Sequence, residues 1–415
     1  MSKSLTSIPT LVESPFIIAT IGGVTFGSYT STGSTQNFGS SVSVTYPNYM
    51  KSVNIQKVNG TVNTYTLNFA YQVRIGDDPN MLDKIFSRAT KDRKITLSYG
   101  DWNAPNHIYK EETGIITNVT SSLNMNNSCI EYTIQCVSDA IGLNATTYSF
   151  AARKAKPSDI LKSLVTNNKY GLKKVFTGMQ DMNKVLSNNL IDSNDKEVDL
   201  LPQRNVTVLS YMNYLVGCMI NNNSTKNGDL SNSKYYLTIH DDYTNQLGGT
   251  YFKVNEVSNN TKTISATDTY EIDVNYPGDN FVTQFALSND QSWSILYEFS
   301  EDLNQEKYVY NIDDEGHITT KYVPSILKSE RTQDVSAAKT QWWTNMTRFP
   351  VQATLTIKGL TRPSILMTYV KLNVWFAGGI KHISSGMYII IKQVDQIDSN
   401  GYKTTLTLLR VGGDE

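Results

Sequence analysis

The chain has 415 residues, enough for two or three domains at about 150 residues per domain. Its 37 Lys and Arg residues balance 38 Asp and Glu residues, and the formal net charge of -1 argues against a basic nucleic-acid-binding face and against a polybasic membrane anchor. Hydrophobic residues make up 39% of the chain, with 25 Tyr and 13 Phe, so the composition excludes wholesale disorder.

The three cysteines, Cys129, Cys136 and Cys218, are too few for a disulfide framework or a Cys-rich metal site. We expect all three to be small buried residues in a protein made in a reducing compartment. Residues 1–14 carry one Lys and no apolar run of signal-peptide length, so no secretion signal is expected. No segment approaches about 18 uninterrupted apolar residues, so no membrane-spanning helix is expected.

The first part of the chain has the alternating pattern of antiparallel strands. Apolar side chains at every second position of Tyr65–Val73 predict a half-buried strand. Val53–Val58 precedes it, and Asn59-Gly60 between them suits the positive φ of a tight hairpin turn.

A short helix is predicted from Asp78 to Ala89, because Asp78 can cap it and Pro79 fits its first turn. Its apolar positions form one stripe that can face a core. Three strands are predicted to follow: Lys94–Trp102, Gly114–Val119 and Ile130–Val137.

The middle of the chain changes to mixed α/β character. One helix is predicted over Lys156–Val165 and another over Val208–Met219, each with its apolar residues along one side. Short strands are predicted after them: Tyr235–Ile239, Tyr251–Val257 and Tyr270–Val274.

The C-terminal part returns to strands. Phe281–Ser300 is strand-rich, and Tyr308–Val323 is predicted to be a hairpin with its turn at Asp313–Gly316. A helix is predicted over Thr332–Met346, before Pro350. The last strands are predicted at Ala353–Leu360, Tyr369–Phe376, Gly386–Val394 and Tyr402–Val411.

Both ends of the chain therefore place a helix before strands and a closing hairpin. The closing hairpins, Gly114–Val137 and Gly386–Val411, both begin at Gly, and their last strands both run into a Val. This order favours an internal duplication, in which two similar β-domains flank an α/β insert.

Ionisable side chains are too scattered to predict a catalytic centre, a metal site or a cofactor site. His240-Asp241-Asp242 ends a predicted strand, where carboxylates more often serve turns than bind a cation. Asp313–His317 has paired carboxylates, but the strands around it favour a solvated hairpin tip. His107 and His382 each precede a closing hairpin. The side chains of Trp342 and Trp343 point about 100° apart on the predicted helix. One ring is therefore expected to face the core and the other to face the insert or a second subunit, unless a wide apolar stripe buries both rings.

The stretch Gly378–Val411 resembles the end of baseplate hub proteins of tailed phages and related contractile injection machines. The resemblance lies in an apolar strand, a polar loop, the entry Ser385-Gly386-Met387-Tyr388, an Asp/Asn/Gly turn and a Thr/Leu-rich final strand. Tyr46–Val73 and the helix Lys156–Val165 also resemble hub sequence.

The resemblance implies a mainly β fold with an α+β insert, in which two tube-type β-barrel domains with a short helix each flank a middle α/β insertion. The implied domains are residues 1–148, residues 149–280 and residues 281–415, the last with the hairpin 308–323 and the helix 332–346.

The same resemblance implies a structural protein rather than an enzyme: a homotrimer that joins the sixfold tail tube to the central spike and forms part of the DNA channel. The expected partners are itself, the tail tube protein, the spike protein and surrounding baseplate proteins, without sequence-specific nucleic-acid binding or membrane insertion. The implied location is the virion tail baseplate, assembled in the bacterial host cytoplasm.

Two other functions remain open from the sequence. A tail-associated peptidoglycan hydrolase would need a cluster of His, Asp, Glu or Cys residues in 167–280, where the candidates are isolated. A receptor-binding tail module would consist of β-structure throughout and would have an exposed aromatic cleft.

Overall fold

A computed structural model describes the strands, helices and turns named below. The described residues are 3–4, 15–27, 36–37, 43–44, 49–92, 94–101, 110–124, 126, 128–145, 147–150, 155–166, 203–217, 219, 233–242, 249–258, 269–277, 281–289, 307–312, 318–323, 351–359 and 365–412. The turn 313–317, the helix 332–346, His107 and Cys218 lie outside them.

The strands follow one another along the chain as β1 Lys3–Ser4, β2 Pro15–Ile21, β3 Val24–Gly27, β4 Gln36–Asn37, β5 Ser43–Val44, β6 Met50–Val58, β7 Thr64–Gln72, β8 Lys94–Asp101, β9 Lys110–Asn124, β10 Cys129–Ser138, β11 Thr147–Phe150, β12 Gln203–Thr207, β13 Ser233–Asp242, β14 Gly249–Ser258, β15 Thr269–Val274, β16 Val282–Asn289, β17 Lys307–Ile312, β18 Ile318–Val323, β19 Val351–Lys358, β20 Tyr369–Phe376, β21 Ile380–Lys381, β22 Gly386–Asp398 and β23 Gly401–Gly412. The helices are α1 Met81–Asp92, α2 Gly142–Ala145, α3 Pro157–Thr166 and α4 Val208–Gly217.

Helix α1 begins three residues after its predicted cap. The Asn80 amide donates to Asp78 Oδ1 at 3.0 Å, and the Met81 amide donates to the Asp78 carbonyl at 3.2 Å. Asp78 therefore forms a turn just before the helix, whereas Asn80, whose carbonyl accepts from the Lys84 amide at 3.0 Å, occupies the cap position. Leu82 and Phe86 on this helix are buried in the first core.

The first β-domain, which we define as β2, β3 and β6–β10, is an antiparallel ladder. Its strands are ordered β3-β2-β8-β9-β10-β7-β6. The inward side of these strands is mainly apolar and buried, and the core includes Phe26, Phe69, Phe86 and Tyr132. The ring of Phe86 lies 5.4 Å from that of Phe69 and 5.1 Å from that of Tyr132, between ring centroids.

The second β-domain, which we define as β15, β16, β19, β20, β22 and β23, has its own core. Its strands are ordered β16-β19-β23-β22-β20-β15, and β15 pairs with β20 in parallel. Leu355, Leu372, Ile390 and Leu406 are fully buried in this core.

Strand β22 joins the two β-domains into one 15-stranded sheet. Its first residues pair with β20, and Lys392–Ile397 pairs with β6 of the first β-domain. Ile397 and Tyr402, at the far end of the β22–β23 hairpin, belong to the core of the first β-domain. The C-terminal hairpin therefore completes the first core as well as the second.

The insert packs on the β6–β7 turn. Helices α3 and α4 and strands β13 and β14 surround a third core, which also buries Val62. The Gly60 amide donates to the Leu237 carbonyl at 2.7 Å, and the Asn213 side-chain amide donates to the Gly60 carbonyl at 2.8 Å. The Asn59 amide donates to the Ile391 carbonyl on β22 at 2.9 Å. The predicted hairpin turn is thus the point where the insert and both β-domains meet.

The predicted fold class is confirmed as a mainly β chain with a mixed α/β middle segment. The predicted domain boundaries at residues 148 and 280 stay predictions. Strand β15, within the predicted insert, is hydrogen-bonded to β20 of the second β-domain.

The two β-domains, which the sequence predicts to be similar, share one order of five antiparallel strands. These strands lie side by side as β6-β7-β10-β9-β8 in the first domain and as β16-β19-β23-β22-β20 in the second. Counted along the chain, the strands of both ladders lie in the order first, second, fifth, fourth and third, and the closing hairpin supplies the fourth and the fifth. The domains differ at the next strand, because β2 is antiparallel to β8 whereas β15 is parallel to β20.

Candidate functional site: a polar sheet face above a buried polar junction

Part of one face of the continuous sheet is polar in both β-domains, whereas farther along the same side of β23 Leu409 and Val411 are buried in a fourth core with Tyr236 and Val257 of the insert. Residues in direct register on seven neighbouring strands form a single row along this polar part, and each is partly or fully exposed: Lys358, Lys403, Gln396, Asn54, Thr66, Gln135 and Asn118. Successive side chains of a strand point to opposite faces, so the buried apolar positions between these residues fix their outward direction. We call this surface the polar face.

A second row of the polar face is linked by side-chain hydrogen bonds. Ser52, Asn68, Thr133 and Thr120 are register partners on β6, β7, β10 and β9. The Asn68 amide donates to Ser52 Oγ at 2.9 Å, and Thr133 Oγ1 donates to Asn68 Oδ1 at 2.9 Å. These bonds order short polar side chains without adding charge.

The charges on the polar face are of mixed sign. Lys358 lies directly opposite Lys403, and Lys392 projects on the same side of β22. Asp398 and Glu131 add negative charge at other points of the face. The face is therefore polar without being strongly basic.

A buried polar junction lies under the face, where β22 meets β6. The Lys57 ammonium pairs with Glu112 Oε1, and both side chains are almost fully buried. The Tyr99 hydroxyl donates to the same oxygen, and Lys57 Nζ lies 3.5 Å from that hydroxyl. These groups come from β6, β8 and β9 of the first β-domain.

The C-terminal hairpin supplies the other half of the junction. Asp395 accepts hydrogen bonds from Thr404 Oγ1 at 2.7 Å and from Gln393 Nε2 at 2.8 Å. Tyr402 is also hydrogen-bonded to this carboxylate, and its ring lies 6.5 Å from that of Tyr99, between ring centroids. We define the buried polar junction as these two halves together.

Burial controls the chemistry of the junction. Removal from water, followed by the nearby Glu112 charge, raises the pKa of Tyr99 well above its ordinary value. Burial and then the Asp395 charge raise the pKa of Tyr402 in the same direction. Both hydroxyls therefore stay protonated and act as hydrogen-bond donors, which suits a structural role.

Sequence reasoning missed the junction, although a signal was present. Lys57 lies on the buried side of β6, as Val53 and Ile55 do, and Asp395 lies on the buried side of β22 with Ile397. A charged residue in the apolar phase of a strand indicates a buried partner.

Exposed apolar side chains lie beyond opposite ends of β22. Past its first residue, Phe376 and Ile380 are 54% and 67% exposed. Past the other end, at the far side of the first β-domain, Ile75 is fully exposed and Leu123 is 60% exposed. Contiguous exposed apolar patches mark contacts with other proteins, whereas single exposed apolar side chains are ordinary on protein surfaces.

The end near Phe376 is held by specific contacts. The Trp375 indole donates to Asp273 Oδ1 at 2.8 Å, and its ring lies 5.8 Å from that of Tyr276. His382, singled out in the sequence, packs its ring 5.0 Å from Phe376 and hydrogen-bonds through Nδ1 to Ser384 Oγ at 2.6 Å. His382 thus orders this loop.

The other residues singled out in the sequence do not converge in the described part of the chain. His240, Asp241 and Asp242 end β13, and only their backbone is described. Asp313–His317, Trp342 and Trp343 lie outside the described residues. Among the described residues, no group of three His, Cys, Asp or Glu side chains is arranged to hold a metal ion. Within the same residues, no helix is long and apolar enough to cross a membrane.

The expected burial of the cysteines is confirmed for Cys136 but not for Cys129. Cys136 is buried, whereas Cys129 is partly exposed at the start of β10. The two lie near opposite ends of one strand, β10.

Solved structures of tail proteins resemble this chain over nearly its whole length. A tail protein from Neisseria meningitidis has a TM-score of 0.48 and 10% identity, with 96% of both chains covered. The 43 kDa tail protein of a Shewanella oneidensis prophage has a TM-score of 0.48 and 11% identity, covering 96% of this chain and 97% of the other. An Escherichia coli type VI secretion component has a TM-score of 0.45 and 9% identity, covering 89% and 76%. No protein-family model and no curated protein matches the chain.

Proposed function

We propose that this protein is the structural baseplate hub of a phage tail, a homotrimeric adaptor between the sixfold tail tube and the central spike. The polar face carries the proposal, because the row from Lys358 to Asn118 presents uncharged and mixed-charge side chains on neighbouring strands of both β-domains. A wall of this kind suits a channel through which DNA passes without being held by its phosphates. The sequence resemblance to hub proteins supports the same role.

The two β-domains offer a way to match different symmetries. Three chains with two similar β-domains each give six units around an axis. Each domain contains five neighbouring antiparallel strands, and the chain forms them in the same order in both, as β6-β7-β10-β9-β8 and as β16-β19-β23-β22-β20.

The exposed apolar ends fit an adaptor between two partners. Strand β22 has 13 residues and spans about 43 Å at 3.3 Å per residue. The group around Phe376 and the group around Ile75 lie beyond its opposite ends, so each can contact a different neighbour. We assign these neighbours as the tail tube protein and the spike protein, within the virion tail baseplate, with other baseplate proteins around them.

The test is the mass and shape of the purified chain in solution. Native mass spectrometry is expected to give three copies, and electron microscopy is expected to show a ring with a central channel lined by the polar face. A monomer, or a dimer without a channel, would contradict the proposal.

The proposed structural role also predicts no hydrolytic activity. Zymography on peptidoglycan, with Asp313→Ala and His240→Ala as comparison variants, is expected to show no lysis. Lysis by the unaltered chain that either variant abolishes would favour a tail-associated hydrolase instead.

A further inference from the structure

The first strand of each closing hairpin reaches past its own β-domain. Residues 386–389 of β22 pair with β20, and residues 392–397 continue beyond β20 to pair with β6 of the other β-domain. Residues 110–115 of β9 pair with β8 in the same way. Residues 117–124, which we call the far half of β9, continue beyond β8 and pair only with β10 among the described strands. The far half of β9 is therefore the counterpart of the part of β22 that joins the two β-domains.

Strand β16 ends the second ladder at the place where β6 ends the first. Strand β22 covers the outer edge of β6, whereas β16 pairs only with β19 in the described part of the chain. The eight residues of β16 include no charge, Gly or Pro, and six of them are exposed. A long edge strand without such protection readily pairs with another strand.

The other two ends of the sheet are protected. Strand β3 has only four residues, and its last two are buried. Strand β1 has two residues and covers part of the edge of β15, which is largely buried. The far half of β9, by contrast, has no charged residue, and seven of its eight residues are exposed. The described sheet thus has two long, exposed and uncharged edges, the far half of β9 and β16.

We propose that the far half of β9 in one copy of the chain pairs with β16 of the next copy. Seven successive antiparallel pairs lead from β16 to β9, so these two strands run in opposite directions. A rotation about an axis along the strands therefore brings them together antiparallel, as β22 meets β6 within the chain. Three such contacts close a ring of three copies, and the number three rests on the proposed function.

Exposed leucines on the two strands fit this contact. Leu123 on β9 is the direct partner of Ile130, which packs against the first core. Leu287 on β16 is the direct partner of Ala353, which is buried in the second core. Both leucines therefore lie on the core side of the sheet, yet they are 60% and 44% exposed. Pairing the two strands places them on one continuous side, where they can cover each other.

The polar face also continues across the proposed contact. It ends at the far half of β9 with Asn118 and Thr120, and it begins on β19 with Lys358. On β16, Ala286 and Ser288 lie on the same side as Lys358, because they pair with the outward positions of β19. The row of one copy would thus lead directly into the row of the next and form a closed wall.

Disulfide cross-linking between copies tests the pairing. Thr120→Cys on β9 is combined in turn with one cysteine on β16. The three positions are Gln284→Cys, Ala286→Cys and Ser288→Cys, which are exposed and sample registers two residues apart. Denaturing gels after mild oxidation show how many copies are linked. Peptide mapping identifies the bridge, because the partly exposed Cys129 could also be oxidised.

Thr120→Cys with Thr354→Cys is the matched control. Thr354 is exposed and is the direct partner of Ala286 on β19, so it lies one strand farther from the neighbouring copy, by about 4.8 Å. That separation is beyond disulfide reach. We expect at least one of the β16 pairs to give a covalent trimer in about tenfold or greater excess over the control.

A charge placed in the contact provides a second measurement. Leu123→Lys is expected to disperse the trimer in native mass spectrometry, because it puts an ammonium on the covered side of the paired strands. Ile75→Lys introduces the same charge at a fully exposed position outside the contact and should leave the trimer intact. A trimer that withstands Leu123→Lys would overturn the inference.

The outcomes separate this inference from the proposed function. A trimer that gives no cross-link between β9 and β16 would overturn the strand pairing and leave the proposed function standing. Cross-links that join a different number of copies would support the pairing and contradict the proposed trimer. A chain that stays monomeric would contradict both.

Discussion

Lys57 on β6 and Glu112 on β9 form an ion pair whose side chains are 2% and 0% exposed. They are 55 residues apart in the chain, and because β10 and β7 separate β9 from β6 in the sheet, the two side chains meet in the interior of the domain and not between neighbouring strands. Removing one partner would leave the other charge buried and unpaired.

Lys57→Ala is therefore expected to lower the free energy of unfolding by about 3–5 kcal/mol, measured by urea titration. Lys84→Ala, in the exposed pair with Asp78, is the comparison and should change little because solvent screens that pair. Similar losses from the two variants would show that burial does not set the strength of the Lys57 pair.

Gly60 joins the insert to the hairpin turn in a way that excludes a side chain. Its φ is +71°, and an added Cβ would lie 2.7 Å from Asn213 Oδ1. Gly60→Ala is expected to destabilise the chain by more than the roughly 1–2 kcal/mol of left-handed backbone strain. Gly23 has a similar φ of +78° with no atom within 4 Å of an added Cβ, so Gly23→Ala measures the strain alone. Equal losses, compared by thermal unfolding, would mean that Asn213 moves aside freely.

Cys136 should be protected from thiol reagents until the chain unfolds. Burial raises the pKa of its thiol to about 12, so the reactive thiolate is rare at pH 8. The partly exposed Cys129 is the internal comparison and should be labelled first. Mass spectrometry of peptides after brief alkylation separates the two sites, and rapid labelling of Cys136 in the folded chain would contradict its burial.

Because the pKa of the Cys136 thiol is raised, the free energy of unfolding depends on pH in the alkaline range. The thiol is neutral in both states below its unfolded pKa of about 8.5, so the full stabilisation is present there. As the pH rises from about 9 towards 12, the unfolded thiol ionises while the folded one does not, and stability falls. Cys136→Ala should therefore show a smaller loss of unfolding free energy between pH 9 and pH 11 than the unaltered chain.

Local sequence patterns predicted individual strands and helices better than they predicted which strands pair with each other. The alternation of apolar and polar residues over Tyr369–Phe376 predicted β20, because the buried face of a strand can be recognised from residues that are close in the sequence. Its parallel pairing with β15, about 100 residues earlier, has no local signature. The pairing of β22 with β6 joins residues more than 300 positions apart, so both the polar face and the junction emerge only when distant strands become neighbours.

The last prediction concerns the neutrality of the polar face. Asn54, Thr66 and Gln135 are direct partners in the row that crosses both β-domains. The unaltered protein should bind duplex DNA weakly in a mobility-shift assay at physiological salt. Replacing all three residues by Lys should create binding that falls steeply with salt, with a log-log slope that grows by about 0.9 for each new phosphate contact.

Neutral changes at the same three positions, Asn54→Gln, Thr66→Ser and Gln135→Asn, provide the matched control and should leave DNA binding weak. If the lysine variant gains no salt-dependent binding, the polar face is not accessible to DNA. If the unaltered protein already binds tightly with a steep salt slope, the face holds the phosphate backbone instead of letting it pass. Either result would contradict a polar channel wall, whereas weak binding that only added lysines convert to tight binding is what such a wall requires.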